Sequence, residues 1–171
     1  MSEVTSEISI AMKDTFGHGH NYVQVLNISV FNGGEVNIRL PENVVCASEI
    51  VVDAKIRCSD GVMALILVKN ALDNAVGKDM KVTLKLGYLP YARQDRICNK
   101  GEALSIQAFV GLINMLQFNE VMILDPHSEV GPALFTAKLS VTTQEQMLSK
   151  SIRNFDLSLG ADVLTLVSPD A

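Results

Sequence analysis

Polar and apolar residues alternate at 8–12, 22–30 and 35–40, a period of two that predicts strands. Phe31-Asn32-Gly33-Gly34 interrupts the second and third of these with turn chemistry, so the stretch reads as a hairpin. The apolar runs at 49–54, 81–86 and 121–124 predict buried strands, the first of them central, and 163–167 predicts the last. Between these runs the period lengthens. Residues 60–76 predict a helix capped by Ser59 or Asp60 and ended by Gly77, apolar on so many faces through 62–68 that it is expected to be well buried. At 105–116, Ile106, Phe109, Val110, Leu112, Ile113 and Leu116 recur at spacings of three and four, which lines one face of a second helix with Ser105 as its N-cap. Residues 143–155 predict another helix. The start, 1–7, reads as frayed, and Gly17-His18-Gly19-His20 as a flexible turn rather than a metal site, because no acidic or Cys ligand is near. Strands and helices alternate, with antiparallel pieces only near the beginning. The expected class is α/β, a mostly parallel sheet with helices on both faces and an antiparallel hairpin near the N-terminus.

Against this pattern one stretch stands out as polar. Residues 88–102 read Tyr-Leu-Pro-Tyr-Ala-Arg-Gln-Asp-Arg-Ile-Cys-Asn-Lys-Gly-Glu, between a predicted strand and a predicted helix. That places them at a strand's C-terminal end, where open parallel α/β sheets bind ligands. Arg93, Arg96 and Lys100 are three of fourteen basic residues in a chain of net charge −5. Local positive charge on an acidic background points to an anionic ligand: Arg offers a planar fork for phosphate, and Gln94 an amide that reads a base or sugar edge. The helix that follows would turn its free N–H groups toward the same place. Composition alone leaves open a solvated loop whose charges pair with one another. A second polar tip follows the strand at 121–124, where Asp125-Pro126-His127-Ser128-Glu129 puts a carboxylate and an imidazole on the same sheet edge.

Length and composition narrow the classes. At 171 residues the chain is long enough for one domain with a real core, and 48% hydrophobic residues with 19% charged fit an ordered globular fold. The longest apolar run, 62–68, is far too short to span a membrane, and the N-terminus shows no secretory pattern, so a cytoplasmic protein is expected. Cys46, Cys58 and Cys98 are widely spaced and read as reduced thiols, Cys98 having no adjacent His to activate it. Negative net charge and sparse aromatics leave no electrostatic footprint for nucleic acid.

Tyr-Ala-Arg-Gln-Asp-Arg at 91–96, preceded by a strand and Pro90, resembles the nucleotide-binding signature of the ribose-phosphate diphosphokinases, or phosphoribosyl pyrophosphate synthetases. Three further matches fall in the family's order: Phe-Asn-Gly-Gly-Glu at 31–35, Asp-Pro-His at 125–127 and Ser-Pro-Asp at 168–170. The resemblance covers the chain from about Val23 to its end. It implies a fold like the type I phosphoribosyltransferases and a reaction in which the diphosphoryl group of Mg-ATP passes to ribose 5-phosphate, giving phosphoribosyl pyrophosphate and AMP.

By residue, the resemblance implies nucleotide contacts at Arg93 and Gln94 and a phosphate contact at Arg96. The loop with Phe31, Gly33, Gly34 and Glu35 corresponds to one that reaches the adenine of ATP bound by a neighbouring subunit, which implies a homo-oligomer. Magnesium would be held by His127, with Asp125 as a supporting carboxylate, and by Asp170. Three positions depart from the pattern: Gly33 replaces an Asp, Pro126 a Leu, and Ile97 a Lys found in many members. The family's mobile Lys and Arg loop and its acidic ribose-phosphate loop have no counterpart in these 171 residues. The chain is therefore expected to be a single N-terminal, ATP-side domain over 1–171, without catalytic residues of its own and inactive alone. The alternative is a non-catalytic regulatory or oligomer-assembly module of the same family. A phosphoribosyltransferase is weaker, since its acidic phosphoribosyl-binding loop is not found.

Overall fold

The computed structural model describes residues 6–14 and 21–154. His18, His20, the strand expected at 163–167 and Asp170 lie outside the described residues. Among the described residues eight strands form two sheets. The larger has the order β2-β1-β5-β6-β7-β8, where β1 is Glu7–Asp14, β2 Asn21–Val25, β5 Ala47–Lys55, β6 Val82–Leu86, β7 Glu120–Leu124 and β8 Lys138–Thr142. The strands from β5 to β8 run parallel, while β1 is antiparallel to both β2 and β5. The expected hairpin is the second sheet, β3 (Ile28–Val30) paired with β4 (Val36–Ile38). The alternation over 22–30 is thus split between two sheets: buried Leu26 still follows the register of β2 against β1, donating its N–H to the Ile8 carbonyl at 2.8 Å, and the break falls after it, before β3 begins at Ile28.

Helices α1 (Ser59–Val76), α2 (Ser105–Met115) and α3 (Val130–Ala133) fill the crossovers between successive parallel strands. All three crossovers step the same way across the sheet, so their right-handedness gathers these helices on one face. That face carries Ile10, Ile50, Val52, Ala54, Leu84, Leu86, Val121 and Ile123, all fully buried. The pleat turns Val51, Asp53, Lys85, Glu120 and Met122 to the opposite face, where each stays half-buried. There Lys85 pairs with Asp53 at 2.6 Å and Lys138 with Glu120 at 3.0 Å.

The breadth of the apolar surface on α1 has a simple cause. One side of the helix meets the sheet; another meets β4 and the short 3-10 turn Glu42–Cys46, whose Val44 joins the core. Burial along 62–68 is nevertheless incomplete, since Met63 is 45% exposed. Gly77 ends α1 with φ 83°, as expected, but the N-cap is Cys58, one residue before Ser59, and no side chain caps that end. Ser105 likewise lies inside α2, whose N-cap is Leu104. At α4 (Gln144–Asn154) the cap is reciprocal, between Thr143 just before the helix and Gln146 in its first turn: Gln146 N–H donates to Thr143 Oγ1 at 3.3 Å and Thr143 N–H to Gln146 Oε1 at 3.2 Å. The strand β8 and helix α3 were not expected, β8 because its polar face obscures a short run.

Candidate functional site

The polar stretch at 88–102 leaves the C-terminal end of β6 as expected and folds as consecutive tight turns. Ala92 N–H donates to the Leu89 carbonyl at 3.3 Å and Gln94 N–H to that of Tyr91 at 2.9 Å. Tyr91 is held at φ 63°, a region that side chains other than glycine rarely adopt, and its ring packs on Phe109 of α2 with centroids 5.8 Å apart. Further on, Glu102 clamps the loop: its carboxylate accepts from Cys98 N–H and Asn99 N–H, both at 2.9 Å, and from Asn99 Nδ2 at 2.6 Å. The Asn99 side chain first, and then those two N–H groups, hold the Glu102 carboxyl below its ordinary range.

These turns change the expectation for the start of α2. Ile106 N–H, one of the donors anticipated to face an anion, is taken by the Gln94 carbonyl at 3.4 Å. Positive charge near the loop therefore comes from its side chains. Arg93, Arg96 and Lys100 are exposed, and none makes an ion pair with a carboxylate among the described residues. The alternative of a loop neutralised by its own charges does not describe this arrangement.

The two polar tips meet. Ser128 Oγ donates to Asp95 Oδ2 at 2.7 Å, which joins the loop after β6 to the loop after β7. That hydrogen bond is the main reason the Asp95 carboxyl lies below its ordinary range, with His127 and Arg96 adding smaller electrostatic pulls. His127 is exposed beside this junction. Asp125, at φ 39°, directs Oδ1 to the Gln144 N–H at 3.3 Å, so one of its oxygens is committed to the start of α4. Among the described residues no three His, Cys, Asp or Glu side chains gather into a metal cage. His127 and the second oxygen of Asp125 are what this tip could offer a metal ion.

A cleft of about 530 Å³ opens on the same edge, within the usual size of small-molecule sites. The loop after β6 forms one wall through Tyr88, Tyr91, Arg93 and Gln94; the junction of β5 and α1 forms the other, including Arg57 and Ser59. A more apolar groove shares Tyr91 and Val62 with it and continues between α1 and α2. Arg57, Asp95 and Ser128 carry geometry that the sequence patterns did not single out. Applying the strand-end rule to β5 as well as to β6 and β7 would have included Arg57.

The hairpin loop stands apart. Phe31 N–H donates to the Glu35 carbonyl at 2.9 Å and Gly34 N–H to that of Phe31 at 2.8 Å, with Gly34 at φ 91°. This is a three-residue hairpin loop closed by a glycine that needs its left-handed conformation. Gly33 needs none; a Cβ there would approach Glu35 Oε2 at 2.9 Å, which the end of a flexible side chain can relieve. Phe31 is 59% exposed, and no residue of this loop lines the cleft of its own chain.

Comparison with known proteins gives the family and the fold. The family described as the N-terminal domain of ribose phosphate pyrophosphokinase matches residues 4–117. The ribose-phosphate pyrophosphokinase of Sulfurisphaera tokodaii is 29% identical over 124 residues, covering 72% of this chain and 42% of the relative. That of Caldanaerobacter subterraneus is 24% identical over 170 residues, 99% of this chain and 49% of the relative. The crystal structure of phosphoribosylpyrophosphate synthetase from Mycobacterium smegmatis superimposes with a TM-score of 0.61 at 21% identity, covering 74% of this chain and 42% of that one, a likeness of fold. The chain thus spans about half the length of the curated relatives it matches. With the family match covering well over half its residues, this chain belongs to the family defined by the N-terminal domain of ribose phosphate pyrophosphokinase.

Proposed function

We propose that this chain is the ATP-side half of a ribose-phosphate diphosphokinase, one phosphoribosyltransferase-like domain that binds Mg-ATP at the C-terminal edge of its parallel sheet. The complete enzyme would pass the diphosphoryl group to ribose 5-phosphate. In that step the C1 hydroxyl oxygen attacks the β-phosphorus and loses its proton, and the bond to the oxygen that remains with AMP breaks. The observation that carries the reading is the Asp95–Ser128 hydrogen bond at 2.7 Å, which ties the loop that bears Arg93, Gln94 and Arg96 to the loop that bears His127.

The roles follow from chemistry. Arg93 and Gln94 line the cleft and contact the nucleotide, while Arg96 faces phosphate. Preset guanidinium donors near a polyphosphate stabilise charge as it moves from one phosphate to the next. His127, the free oxygen of Asp125 and, from outside the described residues, Asp170 would hold magnesium. When bound, the ion neutralises phosphate oxygens. Phe31, Gly33, Gly34 and Glu35 do not line their own cleft and in this reading would complete the site of a neighbouring copy, which makes the working unit a homo-oligomer. We place it in the cytoplasm; among the described residues no helix is long and apolar enough to cross a membrane.

A second reading is a non-catalytic regulatory or assembly module of the same family. Calorimetric titration with Mg-ATP, paired with an assay for AMP release in the presence of ribose 5-phosphate, tests whether the chain binds the nucleotide and whether it turns it over alone. Binding without AMP fits an ATP-side half that needs another domain, or the module; AMP formed only with ribose 5-phosphate fits a chain that suffices by itself. Arg93→Ala is expected to weaken Mg-ATP binding and leave the fold intact. Unchanged affinity would reject the site.

A further inference from the structure

We propose that Arg57 is a second phosphate-gripping residue of the cleft, facing Arg93 across it, so that a nucleoside polyphosphate is held from both walls. The proposal rests on the nucleotide reading of the cleft and extends it to the junction of β5 and α1. Arg57 is exposed and lines the cleft opposite the loop that carries Arg93 and Gln94. Its backbone is fixed: Arg57 N–H donates to Ser6 Oγ at 2.9 Å, so the residue stands on an anchored strand end.

Charge pairing across the fold supports the assignment. Lys55, Lys69, Lys81, Lys85 and Lys138 each reach a carboxylate at 2.5–3.0 Å. Among the described residues Arg57 and Arg93 make no such pair, although both border one cleft. Two guanidinium groups facing one space repel until an anion enters, and their forked donors match phosphate oxygens better than a single point charge does. Tyr88 and Tyr91 give the same cleft flat apolar surface for a ring. A ligand with both parts is a nucleoside polyphosphate.

The test is calorimetry on the 171-residue chain with three probes, Mg-ATP, inorganic tripolyphosphate and adenosine, comparing wild type, Arg57→Ala, Arg57→Lys and Arg93→Ala. Circular dichroism and thermal unfolding check that each variant is folded. Arg57→Ala is expected to weaken Mg-ATP and tripolyphosphate alike, by about tenfold, and to leave adenosine unchanged, with Arg57→Lys between it and wild type. If Arg57→Ala binds both polyphosphates as wild type does while Arg93→Ala loses them, the role of Arg57 is overturned and the nucleotide site stands. Loss of ATP with tripolyphosphate retained would overturn the phosphate assignment in favour of a ring contact. If wild type binds neither polyphosphate, the nucleotide reading and this inference fall together.

Discussion

Replacing Gly61 by alanine tests whether the wall that carries Arg57 is packed as described. Gly61 is buried in the first turn of α1, and a Cβ there would lie 2.1 Å from Ser6 Oγ and 2.5 Å from Ser6 Cβ. Ser6 must move. Moving it breaks the 2.9 Å hydrogen bond from Arg57 N–H and disturbs the 3.4 Å contact between Ser6 Oγ and Cys58 Sγ. Overpacking of this kind costs about 1–3 kcal/mol, and a part-buried N–H that loses its acceptor adds about 1 kcal/mol. Against these, a helix gains at most about 1 kcal/mol when alanine replaces glycine. The expected net loss is about 1–3 kcal/mol, a fall in urea midpoint on the order of 1 M at a typical slope. Ser6→Gly removes both crowding atoms, so in that background Gly61→Ala is expected to be neutral or stabilising. Urea unfolding of the four proteins in this cycle decides it. An equal cost in both backgrounds, or no cost in wild type, would refute the packing argument.

Ser128→Ala removes the hydrogen bond to Asp95 and frees the two loops from each other; Mg-ATP affinity by calorimetry is expected to drop by about three- to tenfold with the melting temperature nearly unchanged. Asp73→Ala leaves Lys69, which is 5% exposed and lies 5.8 Å from the Phe118 ring, without its carboxylate at 2.5 Å; chemical denaturation is expected to show a loss of about 2–4 kcal/mol. Glu49, Asp95, Glu102 and Glu120 all have carboxyls held below their ordinary values, by hydrogen bonds from Lys81, Ser128, Asn99 and Ser140 respectively before any other cause. A folded state with depressed carboxyl values binds fewer protons than the unfolded chain, so this stability is present above the ordinary carboxyl range and is lost as pH falls below it. Urea midpoints are expected to decline steadily below about pH 4.5, and Glu102→Gln is expected to flatten part of that decline; a wild-type midpoint that rises on acidification would contradict the assigned partners.

Local chemistry made much of this protein legible from its sequence alone. The period of apolar positions located β5, β6, β7, α1 and α2, because burying one face of a strand or helix imposes that period whatever lies across from it. Glycine chemistry fixed the hairpin turn at Gly34 and the end of α1 at Gly77, since both need a positive φ. The motif at 91–96 pointed to the family. What the tertiary structure decided depends on partners remote in sequence. Leu26 stays in line with β2 through its burial in the core and its bond to Ile8, eighteen positions earlier, and only beyond it does the chain leave for the second sheet. Asp95 finds Ser128 thirty-three positions on only because β6 and β7 are neighbours in the sheet. Asp125 turns one oxygen to α4, a commitment that no motif records. Arg57 comes to face Arg93 because parallel β5 and β6 bring their C-terminal ends to one edge, and the side chains there belong to a single cleft only once the strands have paired.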